Sequence, residues 1–297
     1  MVPASVARMS FLRLAFLSLL HVAFSTAVHA AAPRSDIPST PDLPCAGDDK
    51  DVIAAPASRR VLVFSGTGWY RHPEIPQVNG WLARLGAGQG IQTDVTETAK
   101  DITPQSLARY AVLVLNSANE LDKVFDAKQR EAIETWFKAG GGLVALHAAL
   151  VHQTNWTWFN DLAGCDFNSD SDFLEARLVV DPKAMNHPTV QGHGAEFKYK
   201  ADWTNHDRSV TGLPGVQVLL RVDETSYEPV RDYFKTRGGK QMGKDHPIAW
   251  TREWGGGRFF YTELGHSLAS LETAFGRQHL FEAIRWAAGS KWEQRSR

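Results

Sequence analysis

Gly140-Gly141-Gly142-Leu143-Val144-Ala145-Leu146-His147-Ala148-Ala149 is the stretch whose reading decides the fold. Glycines accept positive φ, so the triplet can end a helix and reverse the chain. Leu143 to Leu146 is an apolar run too short for a helix. It reads as a strand covered on both faces, as in a parallel sheet. Ligands of open α/β sheets gather at the carboxyl ends of the strands. His147 therefore stands where chemistry is expected. The competing reading is a histidine that only packs and hydrogen-bonds at a strand end, and the flanking segments must decide.

Upstream, Val61 to Phe64 is a first buried strand that runs into the loop Ser65 to Pro76. This loop contains glycine but no G-x-G-x-x-G fingerprint, so it implies no phosphate site. A helix begins near Ile75, with Val78, Trp81, Leu82 and Leu85 on one face. Ile91 to Thr96 alternates as a strand. Thr103 caps a short helix from Pro104 to Tyr110, and Ala111 to Leu115 is the next buried strand. Asp126 and Gln129 form a capping box ahead of a helix that buries Ala132, Ile133, Trp136 and Phe137. Downstream, Asn155 to Leu162 is an aromatic loop and short helix.

Near residue 170 the pattern changes. Leu174 to Val180, Phe197 to Trp203 and Val216 to Val222 alternate. Pro247 to Trp250 and Arg258 to Thr262 flank the turn Glu253 to Gly257. These read as strands, at least partly antiparallel. Leu271 to Ala288 is a closing helix ended by Gly289. The expected fold is α/β: a doubly wound, mostly parallel sheet flanked by helices, with a strand-rich elaboration in the second half. It forms one domain over residues 58–290.

The 297 residues are 43% hydrophobic and 22% charged, with net charge −1. That balance holds no basic excess to indicate a nucleic-acid partner. Residues 1–30 read as a signal peptide: Arg8 and Arg13, an apolar run from Leu14 to Val28, then Val28-His29-Ala30 as a cleavage site. The expectation is a periplasmic or secreted protein with no membrane span after cleavage. Residues 31–57 form a proline-rich tether. Cys45 and Cys165 are open to a disulfide or to two free thiols.

Three histidines, His72, His147 and His266, fall at expected strand ends or in the loops after them, with His206 and His246 as possible additions. Imidazole exchanges protons near neutral pH or binds a metal as the neutral ring. Carboxylates that could pair with them are Glu74, Glu120, Asp202 and Glu263. No G-x-S-x-G elbow or H-E-x-x-H motif is present. The three histidines remain a candidate set for a divalent metal cofactor, which spacing alone cannot test.

Four blocks resemble the ThuA-like (trehalose utilisation) family of the class I glutamine amidotransferase-like superfamily, over Arg60 to Gly289. They are Gly68-Trp69-Tyr70-Arg71-His72-Pro73-Glu74-Ile75-Pro76, the glycine–strand–His147 stretch, Trp158 to Phe167, and His246-Pro247-Ile248-Ala249-Trp250 through Gly256 to His266. Two segments depart from the family pattern. Asn168-Ser169-Asp170 stands where the family usually has His-Pro, and Ala201-Asp202-Trp203-Thr204 replaces Asp-Glu-Trp-Tyr. Amidotransferases of this fold carry a nucleophilic cysteine after the strand equivalent to Leu143–Leu146. Here that position is His147, so thiolate attack on an amide is not expected.

The resemblance implies a role in disaccharide breakdown through 3-keto sugars, with a small carbohydrate as ligand. His147 or Asp202 is expected as base, with His72 and His266 as electrophilic or acid partners. Trp69, Trp158 and Trp203 are expected to stack on sugar faces, and Arg71, His246 and Glu263 to contact the sugar. A non-catalytic carbohydrate-binding envelope protein and a metal-dependent hydrolase are the alternatives. A homo-oligomer is left open.

Overall fold

The computed structural model describes residues 59–152 and 155–292. The expected signal peptide and cleavage site, the whole of the tether, and Cys45 lie outside the described residues. The strands are β1 (Arg60–Phe64), β2 (Gln92–Thr96), β3 (Val112–Asn116), β4 (Gly142–Leu146), β5 (Phe167–Asp170), β6 (Leu174–Val180), β7 (Glu196–Ala201), β8 (Thr204–His206), β9 (Val216–Asp223), β10 (Pro247–Trp254) and β11 (Gly257–Thr262). Nine of them form one sheet in the order β2-β1-β3-β4-β11-β10-β9-β6-β7. The first five are parallel neighbours. From β10 onward every pairing is antiparallel. The α/β class and the strand-rich second half match the sequence reading.

Both faces of the parallel half are covered, as the continuous apolar strands require. Val61 and Val63 face the layer built by helices Ile75–Ala87 and Ala274–Ala288. Leu62 and Phe64 face the layer of helix Ala127–Lys138 and its neighbours. The decisive stretch follows its glycines. Gly140, at φ +89°, reverses the chain after the Ala127–Lys138 helix. A Cβ at Gly142 would collide with the backbone of Ala287, so glycine there lets the last helix sit on the start of β4. Asp126 and Gln129 exchange the expected capping bonds, at 2.9 and 2.8 Å.

Two elements differ from expectation. The strand expected over Phe197–Trp203 stops at Ala201, and Thr204–His206 leaves to pair with β5 as a separate two-stranded sheet. The closing helix breaks before Thr273, whose side chain accepts the Gly276 N–H at 2.9 Å and starts a new helix.

Register sets the site. Leu146 lies opposite Asn116 on one side and Thr262 on the other, so β3, β4 and β11 end level. The loops that follow them, with the loop after β1, open at one edge of the sheet. No described helix is long and apolar enough to cross a membrane.

Candidate functional site

His147 is the first residue after β4 and has φ +50°, a left-handed conformation uncommon for a non-glycine. The chain turns there from strand into a 3₁₀ helix, His147–Leu150. His72 arrives on the loop after β1. Asn119 ties that loop down: its side-chain amide donates to the Tyr70 carbonyl at 2.7 Å, and its side-chain oxygen accepts the Trp69 N–H at 3.2 Å. His266 follows β11 and is reached through Gly265, which has φ +144°.

These loops bring the three imidazoles together. Ring centroids are 4.9 Å apart for His72 and His147, 5.1 Å for His72 and His266, and 4.7 Å for His147 and His266. Nε2 of His72 and Nε2 of His147 face each other at 3.3 Å. A carboxylate stands behind each of two rings: Glu263 Oε1 at 3.3 Å from His147 Nδ1, and Asp202 Oδ2 at 2.6 Å from His266 Nδ1. Asp202 Oδ2 is also 3.8 Å from His147 Nε2. Glu263 is buried and accepts hydrogen bonds from the Thr204 hydroxyl and from the Tyr261 hydroxyl, the latter at 2.7 Å. One ring nitrogen of each histidine falls within 4.8 Å of the other two, so among the described residues these three are a group able to hold a metal.

Burial pulls the His147 ring down, but the charge of Asp202 and the hydrogen bond to Glu263 outweigh it and push the ring up to about 9. His72 is driven down to about 3 by burial and by the neighbouring His147 and His266. The surroundings thus favour charge on His147 and disfavour it on His72. Burial works to raise Asp202, yet His147 and His266 hold it below the usual carboxylate range.

The cluster closes one end of a cavity of about 260 Å³. Trp69 and Tyr70 form one rim, and Tyr233 and Phe234 form another. Trp69 is 58% and Tyr233 57% exposed, leaving aromatic faces open to solvent at the mouth. Asp170, at the end of β5, lines the wall. Arg231 Nε lies 2.5 Å from its Oδ1, and the Arg231 N–H donates to its carbonyl at 3.0 Å. Burial raises the Asp170 carboxyl to about 7, against the pull of Arg231.

Not every residue singled out from the sequence reaches the cavity. Trp203 is 0% exposed and offers no face to a sugar. Trp158 packs on Phe137, Trp156 and Trp254 in the helical layer. Arg71 points to Glu97 in a two-bond ion pair at 2.9 and 2.7 Å. His246 is fully buried between Glu224 Oε1, at 2.8 Å, and the Thr204 carbonyl, at 2.7 Å, so it braces the residue that holds Glu263. Asp202 and Glu263 stand behind histidines and do not line the cavity. Glu120 pairs with Lys123 at 2.6 Å. His206 is buried against Trp250 and Tyr261. Cys165 is buried, and burial raises its thiol well above its ordinary value. The sequence reading missed Asp170, Arg231, Tyr233 and Phe234. The run Arg231-Asp232-Tyr233-Phe234, basic and aromatic in a loop-rich region, was the available signal for three of them.

The sequence model of the trehalose utilisation family, ThuA, matches residues 60–287. Among solved structures, a putative ThuA-like protein from Bacteroides uniformis superposes with TM-score 0.65 at 23% identity, covering 81% of this chain and 95% of that one. A putative ThuA-like protein from Parabacteroides merdae gives TM-score 0.56 at 20% identity, with 80% and 92% covered. A cytoplasmic protein of Salmonella typhimurium LT2 gives 0.52 at 11%, with 77% and 99% covered. No curated protein matches the chain. The likenesses show the fold expected from the sequence, and the family match over residues 60–287 shows that the chain belongs to the ThuA family.

Proposed function

We propose that this protein acts on a carbohydrate at the His72–His147–His266 cluster, in an acid–base step of 3-keto disaccharide or glycoside breakdown. The observation that carries the reading is the meeting of three imidazoles from three loops at the closed end of an aromatic-rimmed cavity. Exposed aromatic faces such as Trp69 and Tyr233 suit the apolar faces of a sugar ring. The imidazole end is the polarising group, holding the oxygen of the C3 carbonyl as it becomes an enolate oxygen. Asp170, with its carboxyl near neutrality, suits proton exchange at working pH. In this scheme a base takes the C2 proton, and the C–H electron pair forms the enolate. Its collapse breaks the C1–O bond, and the departing oxygen takes up a proton. The product is a 1,2-unsaturated 3-keto sugar, to which water can add. The proposal includes export, supported by Arg8, Arg13 and the apolar run to Val28.

The test is incubation with a panel of native and 3-keto disaccharides, with products identified by mass spectrometry. Cleavage confined to keto sugars, and lost in His72→Ala, His266→Ala and Asp170→Asn, is the expected result. Cleavage that all three variants retain would remove the role assignment. The open aromatic rim also favours a second reading, a carbohydrate-binding protein without turnover. Calorimetric binding with no product would establish it.

A further inference from the structure

We propose that His72, His147 and His266 form a three-nitrogen site for a divalent transition-metal ion of the zinc or cobalt type. The first support is the spacing of two nitrogens. In a tetrahedral site with metal–nitrogen bonds of about 2.0–2.1 Å, ligand nitrogens lie about 3.3–3.4 Å apart. Nε2 of His72 and Nε2 of His147 are 3.3 Å apart.

The second support is independent and comes from the opposite edges of the rings. A metal-binding histidine typically gives its other nitrogen to a carboxylate, which fixes tautomer and orientation. Nδ1 of His147 faces Glu263 and Nδ1 of His266 faces Asp202, so the Nε2 atoms of both rings are the ones left for an ion. Both carboxylates are buried, and Glu263 is itself fixed by Tyr261 and Thr204.

The third support is Glu74. Its Oε2 is buried without a hydrogen-bond partner and lies 4.0 Å from His266 Nε2, so it is available as a further oxygen donor. His266, the most exposed of the three rings, is the one that must move to bring all three nitrogens from within 4.8 Å to bonding geometry.

A donor set of imidazoles selects zinc, cobalt or nickel over magnesium or calcium, which prefer oxygen. Three protein ligands with the cavity on the fourth side is the arrangement of a catalytic site. The inference rests on the proposed reading for its purpose, because the ion would supply the polarising group at the imidazole end. Its test contains no sugar, so either can fail alone.

The experiment uses tag-free full chain, stripped with a chelator and titrated with cobalt(II). Wild-type protein is expected to take up one equivalent with visible d–d absorption, and one equivalent of zinc(II) to remove that absorption while magnesium does not. His72→Ala and His266→Ala are expected to abolish the band at equimolar cobalt. Glu263→Gln is expected to weaken binding roughly 10- to 100-fold. His193→Ala, outside the cluster, is expected to leave binding unchanged. Far-UV circular dichroism confirms that each variant is folded. No stoichiometric uptake by the wild type, or uptake retained by both folded cluster variants, overturns the proposal.

Discussion

Gly265→Ala should disable the site by a route that is mainly geometric. Gly265 has φ +144°, which L side chains rarely adopt. A Cβ there would lie 3.1 Å from Leu146 Cβ and 3.4 Å from His147 Cβ. Holding alanine in such a backbone region costs about 1–3 kcal/mol. In a domain of this size each kcal/mol lowers Tm by about 2–4 °C. The expected fall is therefore roughly 2–12 °C. The backbone can escape the cost only by turning, and His266 is the next residue, so its ring leaves Asp202 and the cluster. Gly192→Ala is the control, with φ +88° and nothing within 4 Å of the added atom. It should lose stability from backbone strain alone and keep the site intact. The assays are thermal unfolding followed by circular dichroism, and keto-disaccharide turnover. If Gly265→Ala turns over substrate as well as Gly192→Ala does, the idea that this glycine places His266 is wrong.

Three further outcomes are expected. Burial depresses His206 and His279 to about 4, against about 6.5 in the unfolded chain. Between these values the folded state binds fewer protons, so stability is full above pH 6.5 and falls as pH drops towards 4. The loss is on the order of 3 kcal/mol per ring. Urea denaturation at pH 7 and pH 4.5 measures it, and His206→Phe should flatten the dependence; equal pH dependence in the variant would remove His206 from the explanation. Trp69→Ala should leave Tm within about 1 °C, because the ring is largely exposed, yet weaken sugar binding about 3- to 30-fold by calorimetry; unchanged affinity would take Trp69 out of the binding surface. Asp170→Asn should lower kcat with little change in KM, and should remove the pH-dependent limb near 7 that Asp170 supplies; an unaltered pH–rate profile would rule out its role in proton exchange.

The parallel half of the fold was legible because its strands are too short and too apolar to be anything else. Leu143–Leu146 and Val112–Leu115 have no polar face, so each must be covered on both sides. The caps at Thr103 and Asp126 were legible because each cap is a local exchange over three residues. The meeting of His72, His147 and His266 followed from one rule about strand ends, given that β1, β4 and β11 run parallel. Trp158 and Trp203 could not be placed by type, since a tryptophan in the core and one on a rim look alike in sequence. The kink after Ala201 that sends Thr204–His206 to a second sheet was equally hidden, because Phe197–Trp203 alternates throughout. Asp170 and Arg231 are 61 positions apart in sequence and meet only because the long loop between β9 and β10 brings Arg231 back to the end of β5.

The most direct measurement is a crystal structure with a 3-keto disaccharide bound. The expected result is a sugar ring between Trp69 and Tyr233, with its carbonyl oxygen facing His72, His147 and His266 at about 2–3 Å, directly or through a metal. A sugar bound elsewhere, or a cavity that stays free of it at saturating concentration, would contradict the assignment of this cluster as the place where the protein handles carbohydrate.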